Sequence, residues 1–325
     1  MKSNQPFQFN IPMKYRELGN TGLEVSVLGL GGSSLGSVFG EIDEHEGIRT
    51  VQVALDNGIN LIDTSPYYGE TKAEMVLGRA LHEIPREKYL LATKVGRYGM
   101  DDFDFSAARV SQSVDESLQR LNVDHIDFIQ VHDIEFGTLD QIVNETIPAL
   151  RELQAAGKVR FVGITGLPLK SLHTVMERTS VDQIQSYCHY CLNDTSLLDL
   201  LPYFKAKGMA VFNSAPLAMR LLSHEGPAAW HPAPAVLKAK CAAAAQFCKD
   251  RGGDLGRLAL QFAVANEEIS THIVGTASPK RILQNIRDIE KPPDEELLGD
   301  VLKILKPVHN LTWPSGRTEF AACET

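Results

Sequence analysis

The chain has 325 residues, of which 43% are hydrophobic and 22% charged, an ordinary composition for a globular protein. Its formal net charge is −9, and it has no block of lysine and arginine, which argues against nucleic-acid binding. Residues 1–12 lack the apolar stretch of a signal peptide, and no apolar run approaches the ~18 residues of a membrane span. We therefore expect a cytoplasmic protein that binds neither membranes nor nucleic acids.

The first predicted element is a β-hairpin over residues 14–26. The segments 15–18 and 23–26 have the pattern of two short strands, and the residues 19–22 between them begin and end with glycine. A hairpin that precedes the first strand of a barrel could plug the lower end of that barrel.

Beyond the hairpin, short apolar strands alternate with helical patterns almost to the end of the chain. The predicted strands cover 27–31, 159–165, 183–187, 210–214 and 271–274, and three more end at Asp63, Lys94 and His132. The predicted helices cover 44–57, 72–81, 106–121, 139–156, 169–178, 197–207, 235–250, 255–265, 279–289 and 294–306.

Eight such units without a break predict the fold class α/β and a single closed (β/α)8 barrel rather than an open sheet. We expect one domain over residues 1–325. The long segment 215–234 has the length of a functional or mobile loop, and the tail 307–325 is expected to be partly disordered.

Two motifs suggest other kinds of site. The glycine-rich stretch 29–36 is similar to a dinucleotide-binding fingerprint, but Ser34 stands at its sixth position and Asp63 comes about ten residues too late. We interpret it as a loop that lets a ligand approach the backbone closely. Cys188 and Cys191 form a C-x-x-C motif, but the other cysteines do not follow at zinc-site spacing. We expect reduced thiols and no metal.

Three predicted strands end in a side chain that an apolar strand would not favour. Asp63, Lys94 and His132 lie 31 and 38 residues apart, and Tyr68 follows Asp63 by five. In a (β/α)8 barrel the C-terminal ends of the strands meet at one mouth, which holds the active site. Singly, a helix cap, a solvated lysine or a core histidine would explain each residue. Together they predict a catalytic proton-transfer site, which needs a cofactor to move a hydride.

The chemistry of this group predicts a role for each member. A free phenol has a pKa near ~10 and is a poor acid or base at neutral pH. We expect the ammonium group of Lys94 to lower the pKa of Tyr68, with Asp63 holding the ammonium charged. His132 would orient the reacting oxygen by a hydrogen bond.

These residues resemble those of the aldo-keto reductases, a family of (β/α)8 barrels that use NAD(P)H and an Asp-Tyr-Lys-His tetrad. The family motif D-T-x-x-x-Y-G matches residues 63–69, T-K matches 93–94, and the strand-four histidine matches His132. The resemblance runs from Tyr15 to about Ile289. Within the family, the predicted pocket loops are most similar to aldose dehydrogenases of the plant L-galactose type. The similar stretches are 36–40, 103–106, 132–137, 163–168, 186–190 and 230–232.

The resemblance implies an enzyme that oxidises an L-aldose, with L-galactose as the leading candidate, at its anomeric carbon to give the aldonolactone. Tyr68 would accept the hydroxyl proton. L-fucose, D-arabinose or pyridoxal are alternative substrates, and a non-catalytic, cofactor-sensing binding module is an alternative of another class. An aldolase that uses Lys94 as a Schiff base would leave Tyr68 unexplained.

The resemblance also implies a cofactor site, with departures from the family pattern. Thr165-Gly166 replaces the Ser-Asn pair that holds the carboxamide, and Ser214 replaces a stacking aromatic residue. Gly275 and Ala277 stand where NADP-dependent relatives carry a basic residue, which favours NAD, although Arg281 remains. The expected cofactor-binding residues are Gly32, Ser33, Asp63, Thr165, Gly166, Gln185 (with Gln183 as the alternative), Ser214, Ala215, Leu217, Gly275, Thr276, Arg281, Gln284 and Asn285.

Overall fold

The structure, a computed structural model, describes residues 13–321 and confirms the predicted barrel. Eight parallel strands, β3 to β10, follow one another in chain order, and β10 pairs with β3 to close the barrel. A separate two-stranded antiparallel sheet, β1 and β2, precedes it. The expectations for residues 1–12 and for the last four residues lie outside the described residues.

The secondary structure follows the predicted alternation closely. The strands are β1 Tyr15–Glu17, β2 Glu24–Ser26, β3 Leu28–Gly31, β4 Leu61–Asp63, β5 Leu90–Val95, β6 Ile126–Val131, β7 Val159–Gly166, β8 Gln183–Tyr187, β9 Ala210–Ser214 and β10 Thr271–Gly275. The helices are α1 Glu44–Asp56, α2 Lys72–Leu81, α3 Ala107–Leu121, α4 Leu139–Gln141, α5 Ile147–Ala155, α6 Leu169–Arg178, α7 Leu201–Ala206, α8 Ala235–Asp250, α9 Leu255–Ala265, α10 Pro279–Asp288, α11 Glu295–Leu305 and α12 Thr318–Ala321. Within residues 13–321, no helix is both long enough and apolar enough to cross a membrane.

Two predicted helices are interrupted, in each case next to a proline. The helix expected over 139–156 contains a π-helical turn at Ile142–Thr146, and Pro148 stands in the first turn of α5. The helix expected over 197–207 begins as a 3-10 turn, and Pro202 stands in the first turn of α7. Proline has no N–H to donate and its ring clashes with the preceding turn, so a regular helix restarts at each of these positions.

The N-terminal hairpin closes the lower end of the barrel, as predicted. Leu18 and Val25 are fully buried in the cluster that fills the lower barrel, next to Phe128 and Phe212. The guanidinium group of Arg16 donates to three backbone carbonyls before β10, at 2.6 to 2.7 Å. The hairpin and these apolar side chains therefore close the inside of the barrel from below.

A buried carboxylate holds the lower ends of three strands together. Asp127, near the start of β6, is fully buried and accepts hydrogen bonds from the Leu91 backbone N–H at 2.8 Å and from the side chains of Arg86 and Arg160. These contacts join β5, β6 and β7. At their upper ends, β5 carries Lys94 and β6 leads to His132. The ion pairs therefore help to fix the register of the strands that carry those residues.

Replacing Asp127 by Asn should lower the free energy of unfolding by about 1.5–3 kcal/mol, because the buried position loses its charge-assisted hydrogen bonds to the guanidinium groups of Arg86 and Arg160. Urea denaturation measures this difference. Asp115→Asn is the matched control, because it breaks the exposed 2.5 Å contact with Lys158 and should change stability by less than about 1 kcal/mol. Equal effects of the two substitutions would contradict the assigned role.

Candidate active site

The centre of the barrel mouth is an ion pair between two residues predicted to share a site. Lys94 Nζ donates to Asp63 Oδ2 at 2.6 Å and to the Thr64 carbonyl oxygen at 2.8 Å. The two side chains are only 1% and 3% exposed. An ammonium group held by two acceptors in this way is poorly placed to attack a carbonyl, so the geometry does not favour a Schiff-base lysine.

Two glutamines complete the environment of Asp63. Gln130 Nε2 donates to Asp63 Oδ1 at 2.9 Å, and Gln185 Nε2 lies 3.5 Å from Asp63 Oδ2. Sequence reasoning missed Gln130. The sequence did indicate it, because Gln130 lies two residues before His132, and alternate residues of an extended segment face the same side.

Tyr68 lies in the loop after β4, and two glycines press this loop against the loop after β3. A Cβ atom on Gly69 would lie 2.1 Å from the Gly36 carbonyl oxygen, and Gly69 has a φ of +65°, so only glycine fits. Lys94 Nζ lies 5.1 Å from the centre of the Tyr68 ring. The rings of Tyr68 and His132 lie 5.8 Å apart, with their planes at 89°. The structure therefore brings the four predicted side chains together.

His132 is held as a neutral imidazole. Its Nδ1 atom shares a hydrogen bond of 3.0 Å with Ser65 Oγ. Burial, and then the positive charges of Lys94 and Arg97, hold the pKa of His132 well below its usual value. Sequence reasoning missed Ser65, whose only signal was its place inside the motif that contains Asp63 and Tyr68.

The predicted direction of the Tyr68 pKa shift is wrong. Burial, and then the carboxylates of Asp63 and Asp133, raise the pKa of Tyr68 well above its usual value, while Arg97 acts in the opposite direction. The charge of Lys94 is countered by its bond to Asp63, so the ammonium group does not dominate the field at the phenol. Tyr68 is therefore a protonated phenol at neutral pH.

Most of the expected cofactor residues lie at the upper ends of the strands. Gly32 and Ser33 form a helical turn after β3, Thr165 and Gly166 end β7, Gln185 lies in β8, Ser214 ends β9 and is followed by Ala215 and Leu217, and Gly275 ends β10 and is followed by Thr276. Arg281, Gln284 and Asn285 lie on α10.

In the described part of the chain, the buried atoms Gln185 Oε1 and Ser214 Oγ have no hydrogen-bond partner. Buried polar atoms are nearly always paired, so these two fit a polar ligand in the mouth.

Glu135, in the loop after β6, occupies the space beside the glycine that ends β7. A Cβ atom on Gly166 would lie 2.8 Å from Glu135 Oε2, so an asparagine does not fit at position 166 while Glu135 stays in place. Glu135 Oε1 accepts hydrogen bonds from the Leu167 N–H at 3.1 Å and from Ser315 Oγ at 2.9 Å. Burial, and then the charge of Asp133, raise the pKa of Glu135 to about 8.

The described part of the tail, residues 307–321, packs against the loops at the barrel mouth, and the rest of the segment 307–325 lies outside the described residues. Trp313 is 7% exposed, and its ring lies 5.0 Å from that of His231 in the segment 215–234. The Arg317 N–H donates to the Glu135 carbonyl oxygen at 3.0 Å. The tail therefore ties the segment 215–234 to the loop after β6.

The four cysteines within residues 13–321 form no disulfide. The thiols of Cys188, Cys191, Cys241 and Cys248 are free and buried, and burial raises the pKa of each. Across residues 13–321, no three histidine, cysteine, aspartate or glutamate side chains are grouped so that they could hold a metal ion.

Comparisons with known proteins agree with this geometry. A model of the aldo/keto reductase family matches residues 27–306. L-galactose dehydrogenase of Arabidopsis thaliana is 51% identical over 313 residues, which is 94% of this chain and 98% of that protein. D-arabinose 1-dehydrogenase of Saccharomyces cerevisiae is 34% identical over 74% of this chain and 76% of its own. The solved holo form of an aldo-keto reductase from Bacillus halodurans has a TM-score of 0.76 and 28% identity, over 95% of this chain and all of that one.

Replacing Glu135 by Gln should stabilise the protein increasingly as the pH rises from about 4.5 to about 8. In this range the unfolded chain ionises Glu135 and the folded protein does not, so the wild-type residue makes unfolding easier as the pH rises. Thermal unfolding at pH 5 and pH 8.5 measures the difference between variant and wild type. Glu87→Gln, at an exposed position, is the control. A stability difference that does not grow with pH would contradict the raised pKa.

Proposed function

This chain belongs to the aldo/keto reductase family and is an oxidoreductase, and on that premise we propose that it oxidises an L-aldose at the anomeric carbon to the aldonolactone. L-galactose is the substrate that we favour, and NAD the cofactor. The observation that carries this proposal is the Lys94–Asp63 ion pair beside Tyr68 and His132 in the mouth. The similarity to the Arabidopsis dehydrogenase supports the choice of sugar.

The family uses nicotinamide cofactors, and this chain has residues that fit one. Gln185 Oε1 and Ser214 Oγ, both buried and without a partner among the described atoms, would hold polar groups of the nicotinamide end. Ser33 and Gly275 lie close together, since a Cβ atom on Gly275 would lie 2.9 Å from Ser33 Oγ. Glycine at position 275 therefore lets Ser33 pack closely against the end of β10. The bound cofactor supplies the acceptor for the hydride that leaves the anomeric carbon.

The residues of the chain supply the proton chemistry. In the direction of oxidation Tyr68 takes the proton of the anomeric hydroxyl group, and it does so as a phenolate. Burial and the carboxylates of Asp63 and Asp133 raise the pKa of Tyr68, so the phenolate is the minor form at neutral pH, and Arg97 is the charge that favours it. Neutral His132, tied through Nδ1 to Ser65, would hydrogen-bond the reacting oxygen through Nε2. In the reverse direction protonated Tyr68 donates to a carbonyl oxygen.

Other substrates use the same proton chemistry. D-arabinose is supported by the yeast relative, and L-fucose and pyridoxal remain alternatives. The family assignment indicates an enzyme rather than the non-catalytic module considered as an alternative. We also propose a cytoplasmic location and a small-molecule sugar as the principal partner.

The preference for NAD rests on the charges near α10. Arg281, the basic residue nearest to the expected position of a 2′-phosphate, forms an ion pair of 3.4 Å with Glu225. Gly275 and Ala277 carry no charge. A dianionic phosphate would have to compete with Glu225 for Arg281, which disfavours NADP.

Replacing Tyr68 by Phe should lower the rate of L-galactose oxidation about 10³-fold and leave NAD binding nearly unchanged, because only the proton acceptor is lost. Turnover is followed by NADH absorbance, and NAD binding by calorimetry. The control is Tyr203→Phe on α7, remote from the mouth. A panel of L-galactose, L-fucose, D-arabinose and pyridoxal ranks the substrates. Near-normal turnover of Tyr68→Phe, or no oxidation of any aldose by the wild type, would contradict the proposal.

Replacing Glu225 by Gln should raise the efficiency with NADP relative to NAD by about two- to fivefold, since an exposed ion pair no longer occupies Arg281. The ratio of kcat/KM for the two cofactors measures this effect. Glu83→Gln, which removes an acid elsewhere on the surface, should leave the ratio unchanged. Wild-type enzyme that is equally efficient with NADP would refute the assigned cofactor preference.

A further inference from the structure

A second ion pair lies beside the catalytic group, and the proton chemistry does not use it directly. Arg97 follows β5, and Asp133 follows His132 at the end of β6. Arg97 Nη1 lies 2.5 Å from Asp133 Oδ2, and the two side chains are 13% and 5% exposed. Asp133 Oδ2 also lies 3.7 Å from His132 Nε2. The carboxylate therefore lies beside the imidazole nitrogen that is expected to hold the reacting oxygen.

Aromatic rings hold the guanidinium group of Arg97 in one orientation. Its central carbon lies 3.9 Å from the centre of the Tyr67 ring and 5.2 Å from those of Phe103 and Phe136. Its Nε atom has no hydrogen-bond partner within the described residues. Burying such a pair is expensive, and apolar residues of the same volume often give equal or greater stability. Fold stability alone therefore does not account for the pair.

The backbone of Asp133 is also strained. Its φ of 51° is in the left-handed region, which is uncommon for a residue other than glycine. The Asp133 N–H donates to Thr165 Oγ1 at 3.1 Å, which holds this conformation. Left-handed residues of this kind cluster at ligand sites, where the surrounding structure maintains the strain.

We propose that Arg97 and Asp133 form the subsite that recognises the ring hydroxyl groups of the sugar. Asp133 accepts hydrogen bonds from hydroxyl groups next to the anomeric carbon, Arg97 donates to one of them, and the Tyr67 ring borders the subsite. This proposal rests on the proposed function. The Arg97–Asp133 pair then determines the preference of the enzyme for aldoses over aldehydes that have no hydroxyl groups. A site built to hydrogen-bond a hydroxyl group discriminates against analogues that lack it.

The test variant is Arg97→Met/Asp133→Asn, which removes both charges and leaves no buried charge unpaired. We expect kcat/KM for L-galactose oxidation to fall about 100-fold, mainly through KM. Reduction of 4-nitrobenzaldehyde with NADH should fall at least about tenfold less than aldose oxidation does, because that substrate has no ring hydroxyl groups for the pair to bind. The matched control is Arg109→Met on α3, where the guanidinium group also lies 3.9 Å from a tyrosine ring, that of Tyr98, and pairs with Glu116 at 3.2 Å.

A competitive inhibitor that cannot be oxidised tests this inference independently of which sugar is the substrate. 1,5-Anhydro-L-galactitol keeps the ring hydroxyl groups and lacks the anomeric one, so it binds without being oxidised. Its inhibition constant against aldehyde reduction should rise about 100-fold in the double variant and not in Arg109→Met. This comparison stands even if the wild type oxidises no aldose, in which case only the proposed function fails.

Two results would overturn the inference: equal losses of aldose and aldehyde activity in the double variant, or unchanged inhibition by the anhydro sugar. If the double variant does not fold, Arg97→Lys keeps the charge but not the planar, multidentate donor. It should then weaken binding of the anhydro sugar about 10-fold and spare aldehyde reduction, and unchanged binding would overturn the inference.

Discussion

The buried ion pair between Lys94 and Asp63 is the interaction on which the candidate site depends. A lysine that is 1% exposed has no water to solvate its charge, so its partners must do so. Asp63 and the Thr64 carbonyl oxygen accept its hydrogen bonds, and Gln130 holds the other oxygen of Asp63. Removing either Lys94 or Asp63 would leave the other buried charge without compensation. The pair therefore fixes the centre of the mouth, and Tyr68 and His132 pack around it.

The electrostatic field in the mouth comes from two ion pairs rather than from one lysine. The opposite charges of Lys94 and Asp63 nearly cancel at a distance, and the Arg97–Asp133 ion pair lies next to them. Burial then dominates the titration of the neighbouring groups. It raises the pKa of Tyr68 and lowers that of His132, so that both are uncharged at neutral pH. A protonated Tyr68 beside a neutral His132 suits proton donation to a carbonyl oxygen, and oxidation of a sugar requires Tyr68 to lose its proton first.

The sequence predicts the barrel and its polar strand ends because both depend on local patterns. Apolar runs separated by helical periods give the eight units, and the period of a barrel places Asp63, Lys94 and His132 at one end. Contacts between distant segments were not predictable in this way. Ser65 next to His132 and the tail next to Glu135 depend on how loops pack. The pKa of Tyr68 was predicted in the wrong direction because sequence spacing shows neither how deeply the phenol is buried nor that the carboxylate of Asp133 lies near it.

The central claim is that an anomeric oxygen binds between Tyr68 and His132, above the Lys94–Asp63 pair. The most direct measurement is a crystal structure of the enzyme with NAD and a slowly oxidised L-aldose. The account predicts the anomeric oxygen within hydrogen-bond distance of both the Tyr68 hydroxyl group and His132 Nε2. A sugar bound with its anomeric carbon away from these two atoms, or outside the mouth of the barrel, would contradict the account.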